Sequence, residues 1–254
     1  MKGYDIIGNI AILKFERGAS KKEKVRMACE LMKKNKSVST ALEKTGKIKG
    51  RLRKLKTKYI CGINTKEVLY KENGCVFRFN VDSCYFSPRL ASERLEMAKM
   101  IKKNEKVLVM FGGVAPYAII IAKVARPKRI VSVEISRECN KYAVENIRRN
   151  KVNVDAVQGN VRKVLSKMKE KFDRVVMARP NLEDNFLDAA FKIIRGNGIL
   201  HYYGFYDERD AEKLKQLIDE EAKKARRKIK ILKIKKAGDI GVLKWRYRAD
   251  IKVF

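Results

Sequence analysis

The sequence predicts an α/β protein in two parts: a larger domain with a mostly parallel sheet and an antiparallel edge, preceded by a small basic α/β domain. Three observations predict it. From about residue 107, short apolar runs alternate with helical patterns, as in repeated βα units. The last two strand candidates follow one another with no helix between them, which marks an antiparallel edge. Residues 1–81 instead show short strands, one helix and a tract, Lys33–Lys58, in which eleven Lys and Arg meet one acid, Glu43. With 254 residues, one large or two modest domains can each bury a core. The expected domains are 1–81 and 82–254.

The elements follow in order. Tyr4–Ile7 and Ile10–Phe15 read as strands, Lys22–Lys34 as a helix, and Lys58–Ile63, Glu67–Tyr70 and Cys75–Val81 as further strands. Val107–Phe111 is a continuous apolar run of the kind buried on both faces of a parallel sheet. A helix candidate over Ile119–Val124 leads to strand Ile130–Ile135 and a helix near Arg137–Asn150. Strand Val154–Gln158, helix Val161–Lys171, strand Asp173–Met177, helix Asn185–Ile194 and strand Gly198–Phe205 continue the alternation. Helix Asp210–Arg227 precedes the final strands Ile229–Lys235 and Trp245–Val253. This is the Rossmann-like architecture in its S-adenosylmethionine (SAM)-methyltransferase variant.

Charge narrows the partner. There are 61 Lys and Arg against 29 Asp and Glu, a net charge of +32. Such a field attracts a polyanion, with affinity that falls steeply with salt. A Lys-rich, thermophile-like composition explains many Lys but not the missing acids, because ion-pair networks need both signs. Nucleic acid is therefore the expected partner. The five Cys form no CxxC pair and His201 stands alone, so no zinc site is expected. Scattered Cys suit a reducing cytoplasm and small buried apolar roles. The N-terminus does not read as a signal peptide, and no apolar run is long enough for a membrane helix. A cytoplasmic monomer is expected.

In an open α/β sheet, ligands bind at the carboxyl ends of the strands, near the switch point. The loop after the first strand of the larger domain is Phe111-Gly112-Gly113-Val114-Ala115-Pro116. Adjacent glycines let a ligand approach the backbone, although a plain tight turn explains them equally well. Glu134 ends the second strand, about 20 residues on, where an acid commonly takes both ribose hydroxyls of a nucleoside cofactor. Gly159-Asn160-Val161 follows the third strand, placed to face an adenine ring. Ala178-Arg179-Pro180-Asn181 follows the fourth, at the lip where a substrate base would lie. GxGxxG is missing, which argues against a dehydrogenase on the same fold class.

The most specific segment is Val81-Asp82-Ser83-Cys84-Tyr85-Phe86-Ser87-Pro88-Arg89-Leu90-Ala91-Ser92-Glu93-Arg94. It resembles the archaeal and eukaryotic tRNA (guanine-37-N1) methyltransferases, which carry a YFSPRL…ER sequence followed by a FAGVGPF-like loop. The similarity runs from Gly3-Tyr4-Asp5-Ile6-Ile7-Gly8 through Tyr70-Lys71-Glu72-Asn73-Gly74 to His201-Tyr202-Tyr203, nearly the whole chain. Larger family members carry an extra N-terminal domain, so this reads as a short form.

The resemblance implies roles. Tyr85, Arg94, the Phe111, Gly112 and Gly113 loop, Glu134, Ile135, Asn160, Val161 and Ala178 fall on the cofactor side. Arg51, Arg89, Arg179, Pro180 and Asn181 fall on the substrate side, toward the anticodon region of tRNA. Glu93 falls on the general base. N1 of guanine carries a proton at neutral pH, and a partly buried carboxylate within hydrogen-bond reach suits its removal. Taken alone, Glu93 reads instead as a neighbour of Arg94 on an exposed helix face. Arg53 falls on an arginine that steadies the base's oxygen as charge builds, and a phosphate contact explains it equally.

Departures set the alternatives. Val109, Ala115 and Asn160 differ from the family's loops, and Ala178 replaces an Asn that contacts the target guanine. A ring carbon of the tricyclic wyosine precursor is therefore a second candidate acceptor. A tRNA-binding protein with a decayed cofactor loop is a reading from another class. Aminocarboxypropyl transfer ranks last, because Met177–Pro180 keeps the MxxP sequence that the transferring sister group lacks.

Overall fold

The computed structural model describes residues 2–46, 50, 54–179, 183–241 and 243–254. They fall into two compact units, Met1–Pro88 and Arg89–Phe254.

In the first unit, β1 (Gly3–Ile7), β2 (Ile10–Lys14), β3 (Thr40–Lys44) and β4 (Thr57–Gly62) form a sheet in sequence order. The β2–β3 pair is parallel and the outer pairs are antiparallel. Helix α1 (Lys21–Lys34) makes the crossover from β2 to β3. It starts at a capping box: the Ser20 hydroxyl accepts from the Glu23 amide, and the Glu23 carboxylate accepts from the Ser20 amide. Its apolar face packs Ala28 and Leu31 against Ala11, Leu13 and Ala41. The hairpin β5 (Glu67–Glu72) and β6 (Cys75–Asn80) stands beside it, tied by Asn9, which accepts from the Leu69 amide at 2.7 Å. Cys29 and Cys61 meet with their Sγ atoms 3.3 Å apart, and burial pushes the Cys61 thiol up to about 12.

The unit boundary falls after Pro88, not at 81/82 as expected. Residues 82–86 belong to the small unit for physical reasons. Asp82 accepts from Thr57 Oγ1 at 2.7 Å and pairs with Lys66. Phe86 stacks on Phe79 at 4.9 Å and packs against Tyr70 and Phe77. β3 is also unexpected, because its charged residues lie within the basic tract.

The second unit begins with helix α2 (Ala91–Met100). β7 (Lys106–Met110), α3 (Pro116–Val124), β8 (Arg129–Glu134), α4 (Arg137–Asn150), β9 (Asp155–Gln158), α5 (Val161–Leu165) and β10 (Phe172–Met177) follow. Then come α6 (Leu187–Ile193), β11 (Ile194–Asp207), α7 (Ala211–Lys224), β12 (Ile229–Gly241) and β13 (Lys244–Val253). The seven-stranded order is β12-β13-β11-β10-β7-β8-β9. β11 through β9 pair in parallel, and β13 and β12 add antiparallel. The order reverses between β7 and β10, which puts a crevice at their carboxyl ends.

Strand alternation sorts the core. Leu108, Met110, Val131, Val133, Val175, Met177, Leu200, Tyr202, Ala249 and Ile251 face a core shared with α5, α6 and α7. The opposite face is covered by α2, α3 and α4. Several expected elements change length, β12 among them, which runs on to Gly241 rather than ending at Lys235. α5 stops at Leu165, where Ser166 caps it, six residues short of Lys171. β11 starts at Ile194, four residues before Gly198, with a register shift against β10 between Phe172 and Arg174. No helix among the described residues is long and apolar enough to cross a membrane.

Candidate active site

The sheet gathers four expected loops on adjacent strands. β7, β8 and β9 are hydrogen-bonded neighbours in register, and β10 lies on the other side of β7, with Met177 opposite Met110. The loops that follow them therefore open at one end of the sheet: 111–113, 134–136, 159–161 and 178–179.

Glu134 is the hinge of this group. Its Oε2 accepts from the Gly113 amide at 2.8 Å, and its Oε1 accepts from the Ser136 amide at 2.7 Å. The Gly159 amide donates to the Glu134 carbonyl at 2.8 Å, and Gln158 Nε2 donates to the Ile135 carbonyl at 3.0 Å. One residue thus ties the β7, β8 and β9 loops together. Burial pushes its carboxyl up, against the lowering pull of the Ser136, Gly113 and Ile135 amides. A desolvated carboxylate with free lone pairs is primed for hydroxyl donors.

The two glycines differ in role. A Cβ on Gly112 would meet Ser132 Oγ at 2.1 Å, so a side chain here requires the buried Ser132 hydroxyl to turn away. Gly113 has φ +57 and open space where a Cβ would stand, so it needs Gly for conformation and leaves a bare cradle. Ala115, where the family has Gly, sits at φ 65 and opens α3. A left-handed Ala costs about 1–2 kcal/mol, which a buried loop can hold. Asn160 caps α5, its side chain accepting from the Arg162 amide at 3.0 Å. Either Asn or an acid does that work. Val161 is buried beneath it, and Ala178 is half-buried beside β10.

Arg162 was not foreseen. It pairs with Asp184 and Asp188 and lies 4.5 Å over the Phe186 ring. Phe186 in turn meets Phe111 edge-on at 5.0 Å. The 183–188 segment is thereby fixed against the cofactor-loop side. Hydrogen bonds from Arg162 hold the Asp184 and Asp188 carboxyls below their usual range.

Arg179 departs from its expected place at the lip. It is buried, with its guanidinium donating to the Asp184 carbonyl at 2.7 Å and to the Tyr202 hydroxyl at 3.3 Å. It braces the loop from inside. Pro180, Asn181, Arg51 and Arg53 lie outside the described residues. Arg89 is exposed in the short turn before α2, and Tyr85 is exposed in the small unit.

Glu93 and Arg94 do not lie on an exposed helix face. Both are buried, at 6% and 2% exposure. Glu93 Oε1 accepts from the Tyr203 hydroxyl at 2.7 Å and from Arg248 Nη1 at 2.5 Å. Lys235 Nζ lies 3.3 Å from its Oε2. Tyr117, in the first turn of α3, meets Tyr203 with ring centroids 6.0 Å apart, and burial pushes its hydroxyl up. The sequence hint for Tyr203 and Arg248 is a row of polar residues, Arg246, Arg248 and Asp250, alternating through an otherwise apolar last strand.

This arrangement can bind a nucleoside at Glu134 and place a buried carboxylate near the same end of the sheet. Known proteins resemble the chain in sequence and fold. Residues 68–232 match the TRM5/TYW2 methyltransferase domain. The chain is 33% identical to the tRNA (guanine(37)-N(1))/4-demethylwyosine(37)-methyltransferase Taw22 of Nanoarchaeum equitans, over 98% of both chains. It is 38% identical to the tRNA (guanine(37)-N(1))-methyltransferase Trm5b of Pyrococcus abyssi over 82% of this chain and 61% of that one. The crystal structure of that Trm5b has a TM-score of 0.87, covering 99% of this chain and 75% of its own. A complex of aTrm5 and tRNALeu shares the fold, with a TM-score of 0.85, 24% identity, and coverage of 100% and 72%. The chain belongs to the TRM5/TYW2 methyltransferase family.

Proposed function

We propose that the chain is a SAM-dependent tRNA methyltransferase acting on the purine at position 37. It would methylate N1 of guanosine, a ring carbon of the tricyclic wyosine precursor, or both. The observation that carries this reading is the match over 98% of both chains to a relative named for both substrates. Ala178 supports the dual reading: it puts a methyl group where the resemblance implies an amide aimed at guanine.

The residues fit the cofactor. The open space at Gly113 accepts a close-lying ligand, and Glu134 has lone pairs for two ribose hydroxyls. Ile135 and Val161 supply apolar walls for the adenine. When bound, SAM supplies a methyl group on a sulfonium centre. The chain does the rest. Glu93 accepts the N1 proton of guanosine, so that the ring nitrogen carries the electron pair that attacks. Arg53 steadies the oxygen on which charge accumulates. The loops after β7, β9 and β10 hold the reactants in line and exclude water. The small unit, with its Lys33–Lys58 tract, holds the tRNA backbone.

Calorimetry with SAM, together with tRNA binding, tests this. SAM binding by the wild type is expected. Glu93→Gln is expected to keep SAM affinity while N1 methylation falls strongly. Failure to bind SAM with tRNA bound normally would replace this reading with that of a tRNA-binding protein that no longer catalyses.

A further inference from the structure

On the sheet face covered by α2, α3 and α4, three cross-strand pairs of β11 and β13 stand in a row. His201 lies opposite Asp250, Tyr203 opposite Arg248, and Phe205 opposite Arg246. Period-two alternation places all six side chains on one face. Two of the pairs lead to Glu93. Arg248, only 1% exposed, is surrounded by three carboxylates. Its Nη1 donates to Glu93 Oε1 at 2.5 Å, its Nη2 to Glu96 Oε1 at 2.9 Å, and its Nε lies 2.9 Å from Asp250 Oδ1.

The row continues behind Arg248. Asp250 Oδ1 lies 2.6 Å from His201 Nδ1, and Arg174 Nη1 lies 3.0 Å from His201 Nε2. A guanidinium only donates, so Nε2 is the acceptor and the imidazole carries its proton on Nδ1. Arg174 is itself held by Glu105 through two bonds of 2.8 and 2.9 Å. The guanidinium that faces Glu93 is therefore fixed by a chain of partners across the sheet.

The two oxygens of Glu93 differ. Oε1 has two short bonds, from Arg248 and Tyr203, both buried. Oε2 faces Lys235 Nζ at 3.3 Å, and Lys235 makes its short contact with Glu96 instead, at 2.5 Å. Lys235 comes from the solvent side, with 24% of its side chain exposed. Arg94 and Glu96 share the helix with Glu93, and Tyr117 and Arg246 complete the polar surroundings.

We propose that Arg248, backed by Asp250 and His201, is a positioning residue that locks Glu93 by Oε1 and reserves Oε2 for the substrate proton. The proposal rests on the assignment of Glu93 as the base. Burying an ion network carries a desolvation cost for every ion, so packing alone does not call for one. It does fix direction: with Oε1 held by two donors, the carboxylate cannot rotate to exchange its oxygens. A guanidinium that cannot lose its proton also cannot take up the proton that Glu93 accepts.

The test is steady-state methyl transfer to tRNA by the full chain, comparing Arg248→Met, Arg248→Lys, Glu93→Gln and the double variant. Arg248→Met should lower kcat about 10–100-fold, the loss expected when a catalytic group shifts by about 1 Å. SAM affinity and the KM for tRNA should stay within about twofold, because uniform binding is untouched. Arg248→Lys should recover part of the loss. In the Glu93→Gln background, Arg248→Met should cost less than about twofold further, because coupled residues are not additive. If Arg248→Met fails to fold, Arg248→Lys carries the same comparison in both backgrounds. An equal cost in both backgrounds, or no cost in the wild type, overturns the positioning role alone. A Glu93→Gln variant with wild-type kcat overturns the base assignment and the proposal with it.

Discussion

Replacing Glu134 with Gln exchanges one carboxylate oxygen for an amide nitrogen and separates its two jobs. In the folded chain each carboxylate oxygen holds one backbone amide, Gly113 at 2.8 Å and Ser136 at 2.7 Å. Gln keeps one oxygen and turns a donor toward the other amide. An orphaned buried donor costs about 1–3 kcal/mol. Burial already penalises the Glu134 charge, and neutralising it returns part of that cost, so the loss belongs near the low end. For a chain of this size that is a fall in Tm of about 2–4 °C. On the proposed ribose contact, the effect on SAM is larger. Ribose hydroxyls bond to an anion, each such bond worth about 1.5–3 kcal/mol. Losing one weakens the Kd about 10–150-fold. Isothermal calorimetry measures the affinity and thermal melting the fold. A Kd within about twofold of the wild type, with Tm lowered, would refute the argument and leave Glu134 only as a staple of the loops.

Three other predictions follow the same geometry. Gly112→Ala should cost about 1–3 kcal/mol, because its Cβ would meet Ser132 Oγ at 2.1 Å; melting curves should show the double variant with Ser132→Ala restored, since the next contact is Ser132 Cβ at 3.5 Å. Burial depresses His201 below its ordinary 6.5, so the folded state resists a proton that the unfolded chain accepts. Stability in urea should therefore fall as pH drops below about 6.5, at up to about 1.4 kcal/mol per pH unit, and His201→Gln should flatten that limb. The stretch Lys223–Lys236, from the end of α7 into β12, is rich in lysine, and alanine at its exposed Lys228, Lys230 and Lys233 should reduce the salt slope of tRNA binding by about one for each phosphate these lysines neutralise; an unchanged slope removes this stretch from the RNA interface.

The central sheet was legible because burial on both faces writes itself as uninterrupted apolar residues. Val107–Met110 is fully buried, and helix α4 begins and ends at the residues expected from its pattern. β3 was hidden because Thr40–Lys44 carries Glu43 and Lys44 at its open end, so local composition masked a strand paired on both sides. α5 was overextended because Lys167–Lys171 has helix-forming residues but only Met168 to bury, too little for a further apolar turn. The loops expected to face a cofactor could be placed at one end of the sheet, since each follows a strand and spacing along the chain carries the signal. The surroundings of Glu93 could not. Arg248 lies 155 residues away and Tyr203 lies 110 away, and only the antiparallel edge brings them to one carboxylate. The exposed-face reading of Glu93 failed for the same reason.

One measurement tests the central claim most directly. Incubate the chain with SAM and tRNA carrying either guanosine or the tricyclic wyosine precursor at position 37, digest the tRNA, and identify the modified nucleoside by mass spectrometry. The account predicts one added methyl group at position 37, on N1 of guanosine, on the tricycle, or on both in separate reactions. An aminocarboxypropyl adduct, or unmodified tRNA from a chain that binds both SAM and tRNA, would contradict it.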